Sequence, residues 1–265
     1  MPKVKAGGIQ LNYAVKGDGP PMVLSHGFQN CGAFAFRPVI DRLAERFTVY
    51  AWDKRGHGDS DKPKGPYSIQ TFADDLLGFL DALRLDKVDL LGHSMGGRTA
   101  TVFGVGHSAR LKRLMLVSSS CGAPKGAYRQ HFQELYDLAR AEGMEAVFEH
   151  PEFRSLIPKN MLSGETGEEY RKSFLRNTPQ TYSDTAEALF TMPDLSDKLH
   201  RIAVPTWVCY GADDPGPMAY SEAYRKNIPD CTLCLLKGSG HFPVWDSTGN
   251  FLAELFRFLD GHPVG

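Results

Sequence analysis

The chain alternates short apolar runs with stretches of helical periodicity, and this alternation limits the folds it can adopt. The runs have the length and the β-branched content of buried strands, and they lie at residues 9–15, 22–25, 47–52, 88–91, 114–118, 206–210 and 232–236. Between most of them, apolar residues recur at helical spacing, as at Phe72, Leu76 and Leu80. Strands that are apolar on both faces and are joined by helices form a parallel sheet covered on both sides. The sequence therefore predicts a doubly wound α/β fold.

One long segment, residues 121–199, interrupts this alternation. It contains helix-like stretches at 131–141 and 170–175 but no convincing strand. An insertion of this kind predicts a helical cap over the edge of the sheet where open α/β sheets bind ligands, with a peripheral decoration as the alternative. We accordingly divide the chain into a core of residues 1–120 and 200–265 and a cap of residues 121–199. Phe148, Phe174 and Phe190 of the cap are expected to bind substrate.

A glycine-flanked serine follows the predicted strand at 88–91. The segment reads Gly-His-Ser-Met-Gly from Gly92 to Gly96, and a helix-compatible stretch begins after it. A turn this tight between strand and helix forces Ser94 into strained backbone angles, and only glycines leave room for it. The turn would expose the Ser94 hydroxyl at a helix N-terminus, where backbone N–H groups favour negative charge. Ser94 is therefore the candidate nucleophile.

A serine hydroxyl needs a base and an orienting acid, because its own pKa is far too high for attack at neutral pH. His241 lies in a glycine-rich loop after the last predicted strand, and Asp213 and Asp214 follow the preceding one. Because the ends of parallel strands share one edge of a sheet, these residues should converge on Ser94. The chain order Ser, Asp, His is that of the α/β-hydrolases.

These motifs give the chain a resemblance to the α/β-hydrolase fold superfamily along its length. Besides Ser94 and His241, it has the His26-Gly27 pair after one strand and Asp53-x-Arg55-Gly56-x-Gly58-x-Ser60 after the next. The resemblance implies a sheet of about eight strands. The superfamily pattern G-x-x-D, counted from Gly211, ends on Asp214 rather than Asp213. Ser94, Asp214 and His241 are thus the expected catalytic triad.

The same resemblance assigns the oxyanion hole to two backbone N–H groups, those of Phe28 and Met95. The side chains of Phe28, Met95 and Phe242 are then expected to make an apolar substrate pocket. His26 is expected to brace the loop of residues 26–28, called the oxyanion loop below, by a side-chain hydrogen bond. His93 is expected to pack beside the sheet. The serine also argues against haloalkane dehalogenases and epoxide hydrolases, which have Asp at the nucleophile position.

Composition excludes several other classes of function. The 265 residues carry 30 Lys and Arg against 31 Asp and Glu, so nothing attracts the chain generally to nucleic acid or to acidic membranes. The N-terminal stretch lacks an apolar signal core, and no segment approaches the length of a membrane helix. The five cysteines are odd in number and dispersed, which does not fit a disulfide framework. Cys231 and Cys234 form a C-x-x-C pair within a run that predicts a buried strand, so they are expected to be packing residues. The sequence has no glycine motif that binds a dinucleotide, no P-loop motif and no pair of histidines at the H-E-x-x-H spacing of a zinc site. We expect a cytoplasmic monomer or homodimer that acts on a small molecule without a cofactor or a metal.

The sequence predicts a serine hydrolase of small to medium, mainly apolar esters or lactones. Hydrolysis of a carbon–carbon bond in a diketone or ring-cleavage product is the alternative chemistry, since the superfamily performs both with these motifs. A small-molecule receptor with the hydrolase fold and slow turnover is the alternative of a different class. The intact set of Ser94, Asp214 and His241 favours the enzyme.

Overall fold

An eight-stranded sheet runs through the centre of the molecule, in the strand order β1-β2-β4-β3-β5-β6-β7-β8. The computed structural model describes residues 1–123, 127–214 and 219–263, with the backbone alone described at 127–129 and 131. The strands are β1 (Lys3–Ala6), β2 (Ile9–Lys16), β3 (Pro21–Ser25), β4 (Thr48–Trp52), β5 (Val88–His93), β6 (Leu111–Val117), β7 (Thr206–Gly211) and β8 (Cys231–Leu236). β2 pairs antiparallel with β1 and with β4, whereas the other neighbours are parallel. The predicted doubly wound, mostly parallel α/β fold is confirmed.

Helices cover both faces of the sheet and fill the long connection between β6 and β7. Those outside that connection are α1 (Gly32–Ala35), α2 (Arg37–Ala44), α3 (Ile69–Ala82), α4 (Met95–His107), α10 (Ser221–Asn227), α11 (Pro243–Asp246) and α12 (Thr248–Gly261). Between β6 and β7 lie α5 (Ala127–Glu142), α6 (Met144–Glu149), α7 (Pro151–Ser155), α8 (Gly164–Phe174) and α9 (Pro179–Phe190), called the cap helices below. Short 3-10 turns occupy Ser108–Arg110, Lys159–Met161 and Ser196–Arg201.

The central strand β5 is buried at every residue, because helices pack on both of its faces. Leu91 belongs to an apolar cluster that includes Val39 of α2 and Phe251 of α12. Its neighbour Leu90 points to the other face and joins a cluster with Phe72 of α3. These two layers hold β5 rigidly, so the turn that follows it has a fixed position.

The edge strand β1 is the main element that the sequence pattern did not indicate. It has only four residues, and Lys3 and Lys5 alternate with its apolar positions. Charged side chains on a short edge strand are common because they discourage pairing with other chains. They also hide the strand from a search for apolar runs.

The connection between β6 and β7 contains helices and no strand among the residues that the structure describes. This agrees with the helical character predicted for residues 121–199, although the domain boundaries themselves stay a prediction. Thr178 and Thr181 begin α9 with reciprocal hydrogen bonds between side chain and backbone. No helix within the described ranges is long and apolar enough to cross a membrane.

Candidate active site

Ser94 occupies the turn between β5 and α4 in a strained backbone conformation. Its φ is 54° and its ψ is −117°, a region that residues with a Cβ rarely adopt. A Cβ at Gly92 would lie 2.3 Å from the carbonyl oxygen of Gly96, and one at Gly96 would lie 1.8 Å from that of Ser25. Both flanking glycines are therefore required by backbone packing, as the sequence predicted. The turn holds the Ser94 hydroxyl at the carboxyl edge of the sheet.

A continuous chain of hydrogen bonds joins Ser94, His241 and Asp214. His241 Nδ1 lies 2.7 Å from Asp214 Oδ2, and His241 Nε2 lies 2.9 Å from Ser94 Oγ. Nδ1 donates to the carboxylate, which leaves the lone pair of Nε2 to accept the serine O–H. This arrangement can remove the proton of Ser94 as its oxygen attacks a carbonyl carbon.

The ends of β7 and β8 approach each other closely enough to bring the acid to the histidine. Gly211 ends β7, and a Cβ there would lie 2.1 Å from the carbonyl oxygen of Gly240. Asp214 is 9% exposed, whereas Asp213 is exposed to solvent and donates its backbone N–H to Ser239 O. The structure thus places Asp214, and not Asp213, against His241.

His93 has a role beyond packing beside the sheet. Its Nε2 donates to the backbone carbonyl oxygen of His241 at 2.7 Å. Burial and, to a smaller extent, the neighbouring His241 lower the pKa of His93 to about 3. His93 therefore stays neutral and keeps its N–H on Nε2, where it holds the His241 loop. Its position in the Gly-His-Ser-Met-Gly turn gave no signal of this contact.

Two backbone N–H groups beside Ser94 are available to an oxyanion. Met95 is the first residue of α4, and its N–H has no partner within the helix. Gly27 packs against Ser94, since a Cβ there would lie 3.3 Å from Ser94 Cβ, so the Gly27–Phe28 peptide lies beside this residue. The Phe28 N–H has no hydrogen-bond acceptor among the described residues. The two donors named from the sequence thus come from the first residue of α4 and from the loop after β3.

His26 braces the oxyanion loop, as expected. The backbone N–H of Lys54 donates to His26 Nε2 at 3.0 Å, so the ring proton is on Nδ1. Nδ1 in turn donates to the carbonyl oxygen of Gly27 at 2.7 Å. Burial lowers the pKa of His26 well below its ordinary value, which keeps this tautomer neutral.

A cavity of about 1170 Å³ opens over Ser94 and His241, between the sheet edge and the cap helices. Phe28 and Phe242 line it, as predicted. Aromatic side chains of the cap helices that also line it are Phe132, Phe153, Tyr170 and Tyr182. Its polar lining includes Asn30, Arg98, Ser118 and Ser120. The cavity suits a mainly apolar small molecule whose reacting group reaches Ser94.

Several side chains predicted to bind substrate lie behind the cavity wall. Phe148 and Phe174 have ring centroids 5.4 Å apart and form the interior of the cap with Phe153. Phe190 packs behind Phe132, with ring centroids 5.9 Å apart. None of these three predicted residues is part of the cavity lining. The expectation for Phe148, Phe174 and Phe190 is therefore corrected: Phe148 and Phe174 belong to the apolar core, and Phe190 packs against Phe132 outside the cavity lining.

Met95 also needs a correction for its side chain. The Met95 side chain is fully buried in the apolar cluster beneath α4 and is not part of the cavity lining. It packs in the cluster that also holds Leu90 of β5 and Ala100 of α4, on the face of the helix that lies against the sheet. Only its backbone N–H remains a candidate for contact with substrate.

Tyr182 lines the cavity, although it was not among the three cap residues singled out from the sequence to bind substrate. Its ring lies 5.0 Å from that of Phe28, so it covers the oxyanion loop from the cap side. Its hydroxyl is buried and has no hydrogen-bond partner in the described part of the chain. Burial raises the pKa of this phenol and keeps it protonated. The residue stands in α9 at helical spacing from other buried side chains, a pattern that also fits a core position.

The described residues contain no group of three or more His, Cys, Asp or Glu side chains arranged to hold a metal ion. All five cysteines are free. Cys209 and Cys234 are register partners in β7 and β8, which fits the predicted packing role of the Cys231–Cys234 run.

Comparison with known proteins gives the family. Residues 20–248 match the family model described as alpha/beta hydrolase fold. An enol-lactonase structure from Burkholderia xenovorans LB400 superposes with a TM-score of 0.87 and 26% identity, over 98% of this chain and 100% of that one. The chain therefore belongs to the α/β hydrolase fold family, and it is a hydrolase by family and by the names of its relatives.

Two curated relatives differ in the reaction that their names give. 3-oxoadipate enol-lactonase 2 of Acinetobacter baylyi is 28% identical over 87% of this chain and 86% of its own length. A soluble epoxide hydrolase of Corynebacterium sp. strain C12 is 37% identical over 90% of this chain and 82% of its own length. Sequence identity to these relatives therefore does not decide which bond this protein cleaves. That question is argued from the geometry of the site.

Proposed function

We propose that this protein is a serine hydrolase that cleaves small to medium, mainly apolar carboxylic esters or lactones through an acyl-enzyme on Ser94. One observation carries the proposal: the hydrogen-bonded chain from Ser94 Oγ through His241 to Asp214, which opens into the cavity. A cytoplasmic location and a monomeric or homodimeric state stay predictions from the sequence.

The proposed reaction has two halves that use the same groups. Ser94 Oγ bonds to the substrate carbonyl carbon while His241 Nε2 takes the hydroxyl proton, and the carbonyl oxygen becomes an oxyanion. The N–H groups of Phe28 and Met95 donate to that oxyanion, and His241 then protonates the departing alkoxide. In the second half, His241 takes a proton from water as it attacks the acyl-enzyme, and then returns the proton to Ser94 Oγ as the acid is released. Asp214 stabilises the imidazolium in each half without taking its proton.

The nucleophile type favours carbonyl substrates over epoxides. If Ser94 opened an epoxide, the product would be an alkyl ether, which has no carbonyl carbon for water to attack. Attack on an ester or a lactone gives an acyl-enzyme that water can hydrolyse with the same base. The enol-lactonase names among the relatives agree with this substrate class.

Steady-state turnover with matched variants tests the proposal. We expect sustained hydrolysis of p-nitrophenyl butyrate or of a simple lactone, and a loss of kcat of at least about 10³-fold in Ser94→Ala. Ser120→Ala is the control, because Ser120 also lines the cavity but donates its hydroxyl to Gly122 O. Its kcat should stay within about threefold of the wild type.

Two outcomes would contradict the proposal. Release of a single equivalent of product, without turnover on esters, lactones and diketones, would support the receptor alternative. A kcat/KM for a vinylogous diketone well above that for every ester and lactone would support carbon–carbon bond hydrolysis.

A further inference from the structure

Lys54 is a fully buried lysine in the loop after β4, next to the oxyanion loop. Its exposed fraction is 0%, and its Nζ donates to the carbonyl oxygen of His26 at 2.6 Å. The Nζ atom also lies 5.3 Å from the centroid of the Trp52 ring. Burial lowers the pKa of Lys54 well below its ordinary value. Burying a lysine is costly, so this contact has a use other than covering apolar surface.

Lys54 holds His26 at two points. Its Nζ bonds the backbone carbonyl of His26, and its backbone N–H bonds the imidazole at Nε2. The second bond leaves the ring proton on Nδ1, which donates to the carbonyl oxygen of Gly27. The Lys54 side chain thus fixes the backbone of His26, and the backbone N–H of the same residue fixes the tautomer of the imidazole.

The carbonyl of Gly27 and the N–H of Phe28 belong to one planar peptide group. In a trans peptide these two bonds point in opposite directions, so fixing the oxygen also fixes the hydrogen. The bond from His26 Nδ1 to Gly27 O therefore sets the direction of the Phe28 N–H. If this peptide rotated, the Phe28 N–H would no longer point at the oxyanion, and one donor would be lost.

We propose that Lys54 is a positioning residue for the oxyanion hole, which fixes the Gly27–Phe28 peptide through its double contact with His26. The inference rests on the proposed serine hydrolase function. Lys54 is not part of the cavity lining, so it acts on the reaction through His26 and does not touch the substrate.

Lys54→Met tests this role, because it keeps the apolar stem and removes the ammonium. Lys62→Met is the matched control: Lys62 belongs to the same loop and donates its Nζ to Gly58 O and Ser60 O, away from His26. The measurements are kcat, KM, thermal unfolding and the Ki of a trifluoromethyl ketone. The ketone forms a hemiketal with Ser94 whose oxyanion needs the same two N–H groups.

We expect Lys54→Met to lower kcat by about 10- to 100-fold and to raise the Ki of the ketone by a similar factor, since a lost oxyanion donor costs about 10² to 10³. Its KM should change by less than about threefold, because the substrate-binding surface is intact. Lys62→Met should leave kcat and Ki within about threefold of the wild type. If Lys54→Met does not fold, Lys54→Leu, which also lacks the Nζ donor, is assessed by the same ratios.

Three results would overturn the inference. They are an unchanged kcat in a folded Lys54 variant, a lower kcat with an unchanged Ki, and an equal loss in Lys62→Met. Wild-type protein that neither turns over esters nor is acylated on Ser94 would overturn the proposed function together with the inference. Wild-type turnover with an unaffected Lys54 variant would overturn the inference alone.

Discussion

Ser94 combines a reactive position with an unfavourable backbone conformation. Residues with a Cβ held in sparsely populated regions cost about 1–3 kcal/mol each. Here the conformation is held by the Ser94 N–H, which donates to Val117 O at 2.8 Å, and by the hydroxyl of Ser119, which donates to Ser94 O at 3.0 Å. The surrounding strands thus offset a strain that keeps the hydroxyl exposed to the cavity.

This strain predicts different stabilities for two inactive variants. Ser94→Gly should be more stable than Ser94→Ala by about 1–2 kcal/mol, because only glycine relieves the strain at this φ. Urea unfolding of both variants measures the difference. Equal free energies of unfolding would show that the turn is not strained at this residue.

The two adjacent acids predict a second contrast. Asp214→Asn should lower kcat by about 10²- to 10⁴-fold, because an amide at this position favours the wrong tautomer of His241. Asp213→Asn is the matched control and should lose less than about fivefold, since Asp213 is exposed and the hydrogen bond to His241 Nδ1 comes from Asp214. Initial rates with one ester decide between them. A larger loss in Asp213→Asn would contradict the assignment of Asp214.

At the scale of elements, the turns of the core could be predicted from the sequence, whereas the cap lining could not. The turn at Ser94 can be recognised in the sequence because Gly92 and Gly96 must be glycines: a Cβ at either would collide with backbone. Phe153 lines the cavity and Phe174 does not, yet both are large apolar residues in short helices, and only the packing of those helices separates them. Lys54 was missed for another reason: lysine is almost never fully buried.

The cap therefore predicts a contrast between a lining residue and a core residue. Phe132→Ala should raise the kcat/KM of an octanoate ester relative to a butyrate ester by about tenfold, because it enlarges the cavity beside Phe28. Phe174→Ala should leave this ratio within about twofold and lower the free energy of unfolding by about 3–5 kcal/mol, because Phe174 is fully buried in the cap core.

Kinetic ratios and urea unfolding of the two variants test this assignment together. If only Phe174→Ala changed the chain-length preference, Phe174 would line the cavity and Phe132 would belong to the core. An unchanged preference in both would leave the cap helices as decoration.

At the scale of the whole molecule, the order of the strands brings the three site residues together. Ser94 follows β5, Asp214 follows β7 and His241 follows β8. These three strands run parallel to one another within the same half of the sheet. Their carboxyl ends share one edge, so residues far apart in sequence meet over a rigid floor. The meeting of these strand ends at one edge could be predicted from the motifs, whereas the order of the eight strands was not predicted.

Buried neutral histidines around this edge predict an acid-sensitive fold. Burial lowers the pKa of His57 to about 3, below the ordinary value of about 6.5 in the unfolded chain. The unfolded state therefore binds more protons as the pH falls, so this contribution to stability is present above about pH 6.5 and is lost between about pH 6.5 and pH 3. From about pH 7 to pH 5 the loss for one such histidine is about 2 kcal/mol.

Comparison with His57→Gln isolates this effect, because the other titrating groups are the same in both proteins. The free energy of unfolding of the wild type minus that of the variant should fall by about 2 kcal/mol when the pH is lowered from about 7 to 5. Urea midpoints at the two pH values measure it. A difference independent of pH would show that His57 takes up its proton in the folded protein as readily as in the unfolded chain.

The central claim is that Ser94 is the covalent nucleophile, and a fluorophosphonate tests it most directly. The reagent should attach to a single site, and peptide mass spectrometry should place the adduct on Ser94, with no adduct in Ser94→Ala and slower labelling in Asp214→Asn. Labelling of another serine while Ser94 stays unmodified would contradict the account, as would full ester turnover by folded Ser94→Ala.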